Sequence, residues 1–338
     1  MKTALILVLL FAFVFFTVNL SEPEAKLVSE TVFLLDTACT ITIYKPLDRK
    51  LILQAFDLCA EYEALLSVTV EGSDIWRVNH ALGEPMTVSP ETIEVIMTGL
   101  GYGDFSRGWF DVTIGRLSEL WDFSGEPFVP DEASLSTACD TVNYRQVVIH
   151  GDTVQLSDPE AYIDLGGIAK GYIADRIAAF LVENGAESAI VDLGGNIVAI
   201  GERPDGNLWR VGIRKPFGHE SELFGVIEVG TEDSVSVVTA GVYERSFELD
   251  DVLYHHILNP FTGLPVKTDV VSATVVTESS MSGDALSTTM LLLGSDVAVA
   301  LLDEVPGFIG AIIILDNGEY IVHGDIDFTA LGAVYIPT

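Results

Sequence analysis

Asp164-Leu165-Gly166-Gly167-Ile168-Ala169-Lys170-Gly171 is the segment on which the reading of this chain turns. Its glycines close an extended stretch, and the apolar residues Ile168, Tyr172, Ala179 and Leu181 continue from it at helical spacing until Asn184-Gly185 stops the helix. Upstream, 144–156 reads as two short strands about the turn signal Gly151-Asp152. Downstream, strand candidates follow in close succession at 188–192, 197–201, 208–214, 224–229 and 234–238, which predicts an antiparallel meander. Further out, 40–44 alternates as a half-buried strand, and Leu51, Ala55, Leu58, Tyr62 and Leu65 repeat at helical spacing. Ser89-Pro90-Glu91 starts a helix running to about Gly101, with a capping hydroxyl, proline at the first helical position and an acid at the positive dipole end. A buried strand at 270–277, a helix at 283–293 and a hairpin of 308–315 with 320–323 complete the pattern. The prediction is an α+β fold of mixed, mostly antiparallel sheets with packed helices and no linker dividing it.

Composition excludes several functional classes. Of 338 residues 49% are hydrophobic, enough for a core and too many for a disordered chain. The length is near the upper end for one core, about 250–300 residues. Fifty acidic against 17 basic residues give a formal charge of -33, and no basic stripe offsets it, so nucleic acid is not an expected partner. An anionic small molecule binds such a chain only where a metal ion, backbone amides or a helix N-terminus reverse the local potential. The acidity reads equally as adaptation to a saline habitat. Cys39, Cys59 and Cys139 are odd in number and irregular in spacing, which predicts core thiols rather than a zinc site or a disulfide framework. Lys2 precedes an apolar run from Ala4 to Val18, the length of a signal-peptide core and shorter than the roughly 20 residues of a spanning helix. Residues 1–25 are therefore expected to be a signal peptide or an N-terminal membrane anchor, and the rest to be exported.

Three segments can carry chemistry, and each also has a plain structural reading. In 164–171, amides at a helix start and the charge of Lys170 suit a phosphate or carboxylate, but the glycines equally serve tight backbone packing. The segment is neither a Walker loop nor G-x-G-x-x-G. In His255-His-Ile-Leu-Asn-Pro-Phe-Thr-Gly263, His256 ends a strand before the Asn259-Pro260 turn, where an imidazole serves as a general base or as a satisfied structural residue. In Gly283-Asp-Ala-Leu-Ser-Thr-Thr289, Asp284 and Thr288 are four apart on one helix face, which suits Mg2+ or a simple capping acid.

Taken together, these segments resemble, in order, those of the ApbE family of flavin transferases, the FAD:protein FMN transferases. Leu35-Asp-Thr37, Ser73 to Asn79, Gly108-Trp-Phe-Asp-Val-Thr-Ile-Gly115, Asp192-Leu-Gly-Gly-Asn196 and Gly241-Val-Tyr-Glu-Arg245 are similar to further family blocks, so the resemblance spans roughly 30–325. It implies an ApbE-like, T-fold-like domain over 26–338 that cleaves the FAD pyrophosphate, passes FMN to a threonine of an acceptor flavoprotein and releases AMP. It implies Mg2+ held by Asp284, Thr288 and the Gly167 carbonyl, with His256 as the base. Asp164 and Lys170 match FAD-contacting positions, and Leu35, Gly108, Trp109, Phe110 and Ile257 match the flavin or adenine pocket. Ser287 stands where some members carry a second acid, which favours one metal ion over two, and Ser67-Val68-Thr69 lacks an aromatic common there. The expected acceptor belongs to an exported or membrane electron-transfer complex, at the extracytoplasmic face of the cytoplasmic membrane or in the periplasm. Water in place of threonine gives an FAD pyrophosphatase, and loss of turnover gives an FAD-binding protein.

Overall fold

Leu35 and Asp36 both take left-handed backbone, φ 54° and 56°, and form the two-residue turn whose twist matches that of paired strands. Val28–Leu34 thereby folds back on Thr37–Lys45 and opens an eight-stranded sheet. The structure, a computed structural model, describes residues 27–46, 48–219, 221–231 and 233–332; the N-terminal segment 1–25 lies outside them. Across the sheet the order continues through Ser188–Leu193, Asn196–Ile200, Ser234–Gly241, Val270–Thr277, Phe308–Leu315 and Tyr320–Gly324, every neighbouring pair antiparallel. Val270–Thr277 is buried at every position, as a central strand covered on both faces must be. Among the described residues no helix is long and apolar enough to cross a membrane.

Four helices build the layer that matters for the site. Arg49–Leu66 packs on the first strand pair and on Ala169–Glu183. Ala169–Glu183 packs in turn on Ser280–Leu293, which lies over Ser234–Gly241 and Val270–Thr277. Pro90–Phe105, capped by the Ser89 hydroxyl on the Thr92 amide, closes the layer. Cys39 and Cys59 are buried in this core, as expected of core thiols, whereas Cys139 is only half-buried.

The α+β class and most predicted elements are present, with two corrections. The predicted meander is interrupted: Trp209–Arg214 and Leu223–Val229 leave the main sheet and form a separate three-stranded sheet with Asp327–Ala330. Asn196–Ile200 then pairs directly with Ser234–Gly241. Strand periodicity reports which face is buried, not which strand is the partner. The glycine segment also does not close a strand, because Tyr162 makes only a lone bridge with Ile114 before the loop enters Ala169–Glu183.

The approach of the two site helices depends on glycine. A Cβ on Gly171 would fall on the Ser280 carbonyl and overlap the Met281 backbone. Backbone cannot yield as a flexible side chain can, so Gly171→Ala is expected to cost about 1–3 kcal/mol through overpacking. Urea unfolding checks this; an unchanged midpoint would show that the helices separate freely.

Candidate active site

The metal-ligand candidates meet at that crossing. Asp284 and Thr288 lie one turn apart on Ser280–Leu293. Asp284 is 6% exposed, and one of its carboxylate oxygens accepts the Gly171 N–H at 2.9 Å. Burial pushes its carboxyl up, while the neighbouring Lys170 charge and the Gly171 amide pull it back. Gly167 stands opposite: a Cβ there would lie 3.2 Å from the Phe110 ring and 3.9 Å from the Thr288 methyl. The predicted trio of Gly167, Asp284 and Thr288 is thus brought together, with Phe110 as its apolar wall. Ser287 is fully buried and donates to the Asp284 carbonyl at 3.0 Å, so it is committed to the helix and not to the site. Among the described residues no three His, Cys, Asp or Glu side chains converge. The candidate donors are one carboxylate, a hydroxyl and a backbone carbonyl, all hard oxygens of the kind Mg2+ takes alongside water and phosphate.

The anion-binding part differs from expectation. The amides at the start of Ala169–Glu183 are largely spoken for: Gly166 N–H donates to Asp164 Oδ1 at 2.8 Å, Ala169 N–H to the Leu165 carbonyl at 2.8 Å, and Gly171 N–H to Asp284. Positive charge at this end comes instead from Lys170, which is electrostatically coupled to Asp284, Asp192 and His256 alike. Lys170 makes no ion pair among the described residues. Its charge therefore acts on all three. Asp164 is turned inward on its own loop, and its predicted contact with a ligand is not evident from its hydrogen bonds.

His256 follows the strand Val252–His255 and is half-buried. Its Nδ1 lies 3.3 Å from the Arg245 carbonyl. A carbonyl only accepts, so Nδ1 carries the hydrogen and Nε2 keeps its lone pair. Burial, then the Arg245 charge, pushes the imidazole down to about 3. It is accordingly neutral at physiological pH, with Nε2 left as an acceptor. His255, which has no assigned role, is buried against the Val266 carbonyl at 3.2 Å and pushed down to about 4 by burial.

The pocket residues are joined less evenly. Gly108, φ 86°, follows the end of Pro90–Phe105 and lets the chain turn so that Trp109 meets Phe261 edge-on, ring centres 5.2 Å apart. Phe261 is 59% exposed at the tip of the Asn259–Gly263 turn and was not singled out by sequence. Ile257 is buried, its carbonyl holding the Val266 N–H at 2.9 Å. Leu35 enters only indirectly: its amide donates to Glu63 at 3.1 Å, and the adjoining Thr37 packs against Gly194. Two other residues of that Asp192–Asn196 block belong to the site without having been assigned a role. Burial pushes Asp192 up, against the Gly195 and Gly194 amides and Lys170. Asn196 is 2% exposed beside Asp284, and its side-chain amide nitrogen has no partner in good geometry. The Asp-x-Gly-Gly-Asn spacing was visible, but nothing in it says that the tight turn points to Asp284.

The pH behaviour of His256 follows from its environment. Because the folded-state value is depressed below 6.5, the stability tied to the neutral ring is present above pH 6.5 and is lost as pH falls toward about 3. The stability difference between the wild type and His256→Gln should therefore narrow as pH falls over that interval in urea titrations. Turnover should show no inflection near pH 6.5, and one that vanished in His256→Gln would contradict the buried neutral ring.

Comparison with known proteins leads to the same order of segments. The sequence profile of the ApbE family matches residues 35–313. A Klebsiella pneumoniae protein named FAD:protein FMN transferase is 33% identical over 304 residues, covering 88% of this chain and 92% of its own. One of the same name from Treponema pallidum is 35% identical over 292 residues, covering 81% and 80%. The flavin transferase ApbE from Vibrio cholerae superposes with a TM-score of 0.76 at 28% identity, covering 91% of this chain and 97% of that one. With a profile match over 35–313 that takes in all three site segments, and relatives above 30% identity, the chain belongs to the ApbE family.

Proposed function

We propose that the protein is an Mg2+-dependent FAD:protein FMN transferase that acts outside the cytoplasm on an acceptor flavoprotein of an exported or membrane electron-transfer complex. The observation that carries this reading is the convergence of Gly167, Asp284 and Thr288 at a helix crossing whose Lys170 also acts on a neutral His256. The names of the relatives support it, since each of the two closely similar sequences is called an FAD:protein FMN transferase.

In this reading Asp284, Thr288 and the Gly167 carbonyl would hold Mg2+, which would supply charge neutralisation on the FAD pyrophosphate. The Lys170 ammonium adds positive charge to the same phosphates in a protein that otherwise repels them. Trp109 and Phe110, with Gly108 giving close backbone approach, line the path of the ring system, Ile257 closes an apolar side, and Leu35 acts only through the turn that sets Thr37 against Gly194. His256 Nε2 takes the hydroxyl proton of the acceptor threonine as its oxygen attacks the FMN phosphorus. The new P–O bond forms as the bond to the AMP phosphate breaks, and AMP leaves with the electron pair. Residues 1–25 act as signal peptide or membrane anchor, which places the site with its acceptor at the extracytoplasmic face or in the periplasm.

Two variants test separate parts of the reading. Asp284→Ala should abolish Mg2+-dependent turnover while circular dichroism stays native, and His256→Ala should slow transfer by about 100-fold or more while FAD still binds. The deciding measurement is mass spectrometry of a candidate acceptor incubated with FAD and Mg2+. FMN mass on threonine together with AMP supports the transferase. Free FMN and AMP with several unmodified acceptors support a pyrophosphatase, and intact FAD supports a carrier.

A further inference from the structure

Asp175 takes no part in the chemistry above, yet it makes the densest set of contacts between the two site helices. It lies on Ala169–Glu183 one turn beyond Gly171 and reaches the N-terminus of Ser280–Leu293. Its Oδ1 accepts the Ser280 N–H at 2.7 Å, and its Oδ2 accepts the Ser279 hydroxyl at 2.7 Å and the Met281 N–H at 3.0 Å. Ser279 already caps this helix from within its own chain segment, its oxygen accepting the Ser282 N–H at 3.4 Å. The helix therefore has a local cap, and what Asp175 adds is a tie to its neighbour.

The ties come in register. Gly171 bonds Asp284 and, four residues on, Asp175 bonds Ser280, four residues back, so the antiparallel helices are pinned at two heights one turn apart. One tie leaves the helices free to pivot about it; two resist both pivot and axial slide. The arrangement is costly, because Asp175 and Asp284 are both carboxylates withdrawn from water and the charge of the first disfavours that of the second.

We propose that Asp175 is a positioning residue for the cation site, holding the first turn of Ser280–Leu293 so that Asp284 and Thr288 stand opposite Gly167 at the spacing one cation needs. The proposal rests on the metal reading above. Asparagine in its place keeps an oxygen for the Ser280 N–H and can donate to Ser279, but it sets an NH2 group against the Met281 N–H, so it loosens the tie without emptying the space.

The test is calorimetric titration of Mg2+ alone into the full chain, without FAD. Asp175→Asn should bind Mg2+ about tenfold more weakly and Asp175→Ala more weakly still, as partners behind metal ligands generally show, with FAD binding in the absence of Mg2+ changed by less than about twofold. Ile213→Val, in the separate small sheet, should lower the unfolding temperature without moving the Mg2+ affinity, which separates positioning from general stability. Wild-type Mg2+ affinity in Asp175→Asn with a lowered unfolding temperature would overturn the proposal and leave the metal reading standing. No Mg2+ binding by the wild type, with Asp284→Ala indistinguishable from it, would overturn the metal reading and this proposal with it.

Discussion

Two helices meet backbone to backbone at Gly171 and Ser280, and the rest of the site is arranged around that contact. Gly171 lacks a Cβ, so its amide is free to reach the Asp284 carboxylate at 2.9 Å, a bond that a wider helix pair could not make. The same approach brings the Gly167 loop against Thr288 and Phe110. The sheet beneath supplies rigidity: Ser280–Leu293 rests on Ser234–Gly241 and Val270–Thr277, strands buried nearly throughout. A functional constellation placed on regular elements over such a base is held more tightly than one carried by loops.

Electrostatics explains how a chain of formal charge -33 can hold a pyrophosphate. The protein's net field repels the ligand, so attraction must be local and short-ranged. Lys170 provides part of it from the end of its helix, acting on Asp284, Asp192 and His256 together. The helix-start amides, which would be the customary source, are mostly engaged within the protein. In the proposed reading a cation held by Asp284 would be the complement, since burial raises this carboxyl and a nearby positive charge would offset that. His256 works in the opposite sense. Its environment removes the charged form and leaves a neutral ring whose Nε2 is an acceptor.

Much of this was legible in the sequence. The helix cap at Ser89-Pro90, the alternation of 40–44 and the closing hairpin of 308–323 all carry local signals strong enough to survive folding. Asp284 and Thr288 could be put on one helix face by spacing alone. Less legible was the small sheet of Trp209–Arg214, Leu223–Val229 and Asp327–Ala330, whose third strand arrives from about 100 residues downstream. Asp175 and Asn196 escaped for a related reason: each acts on a residue distant in the chain, and nothing local marks the partner.

The sequence by itself determined the class of fold, the acidic character of the surface, the family resemblance and the residue types available for chemistry, because periodicity, composition and motif order are properties of the chain as written. Only the tertiary structure decided that the Gly171 amide belongs to Asp284 rather than to a ligand, that Ser287 turns into its own helix, and that Phe261 joins Trp109 at the edge of the pocket. The physical reason is that a hydrogen-bond donor or an aromatic edge has no fixed role until packing presents its partner. That partner lies some 113 residues away for Gly171 and 105 for Asp175.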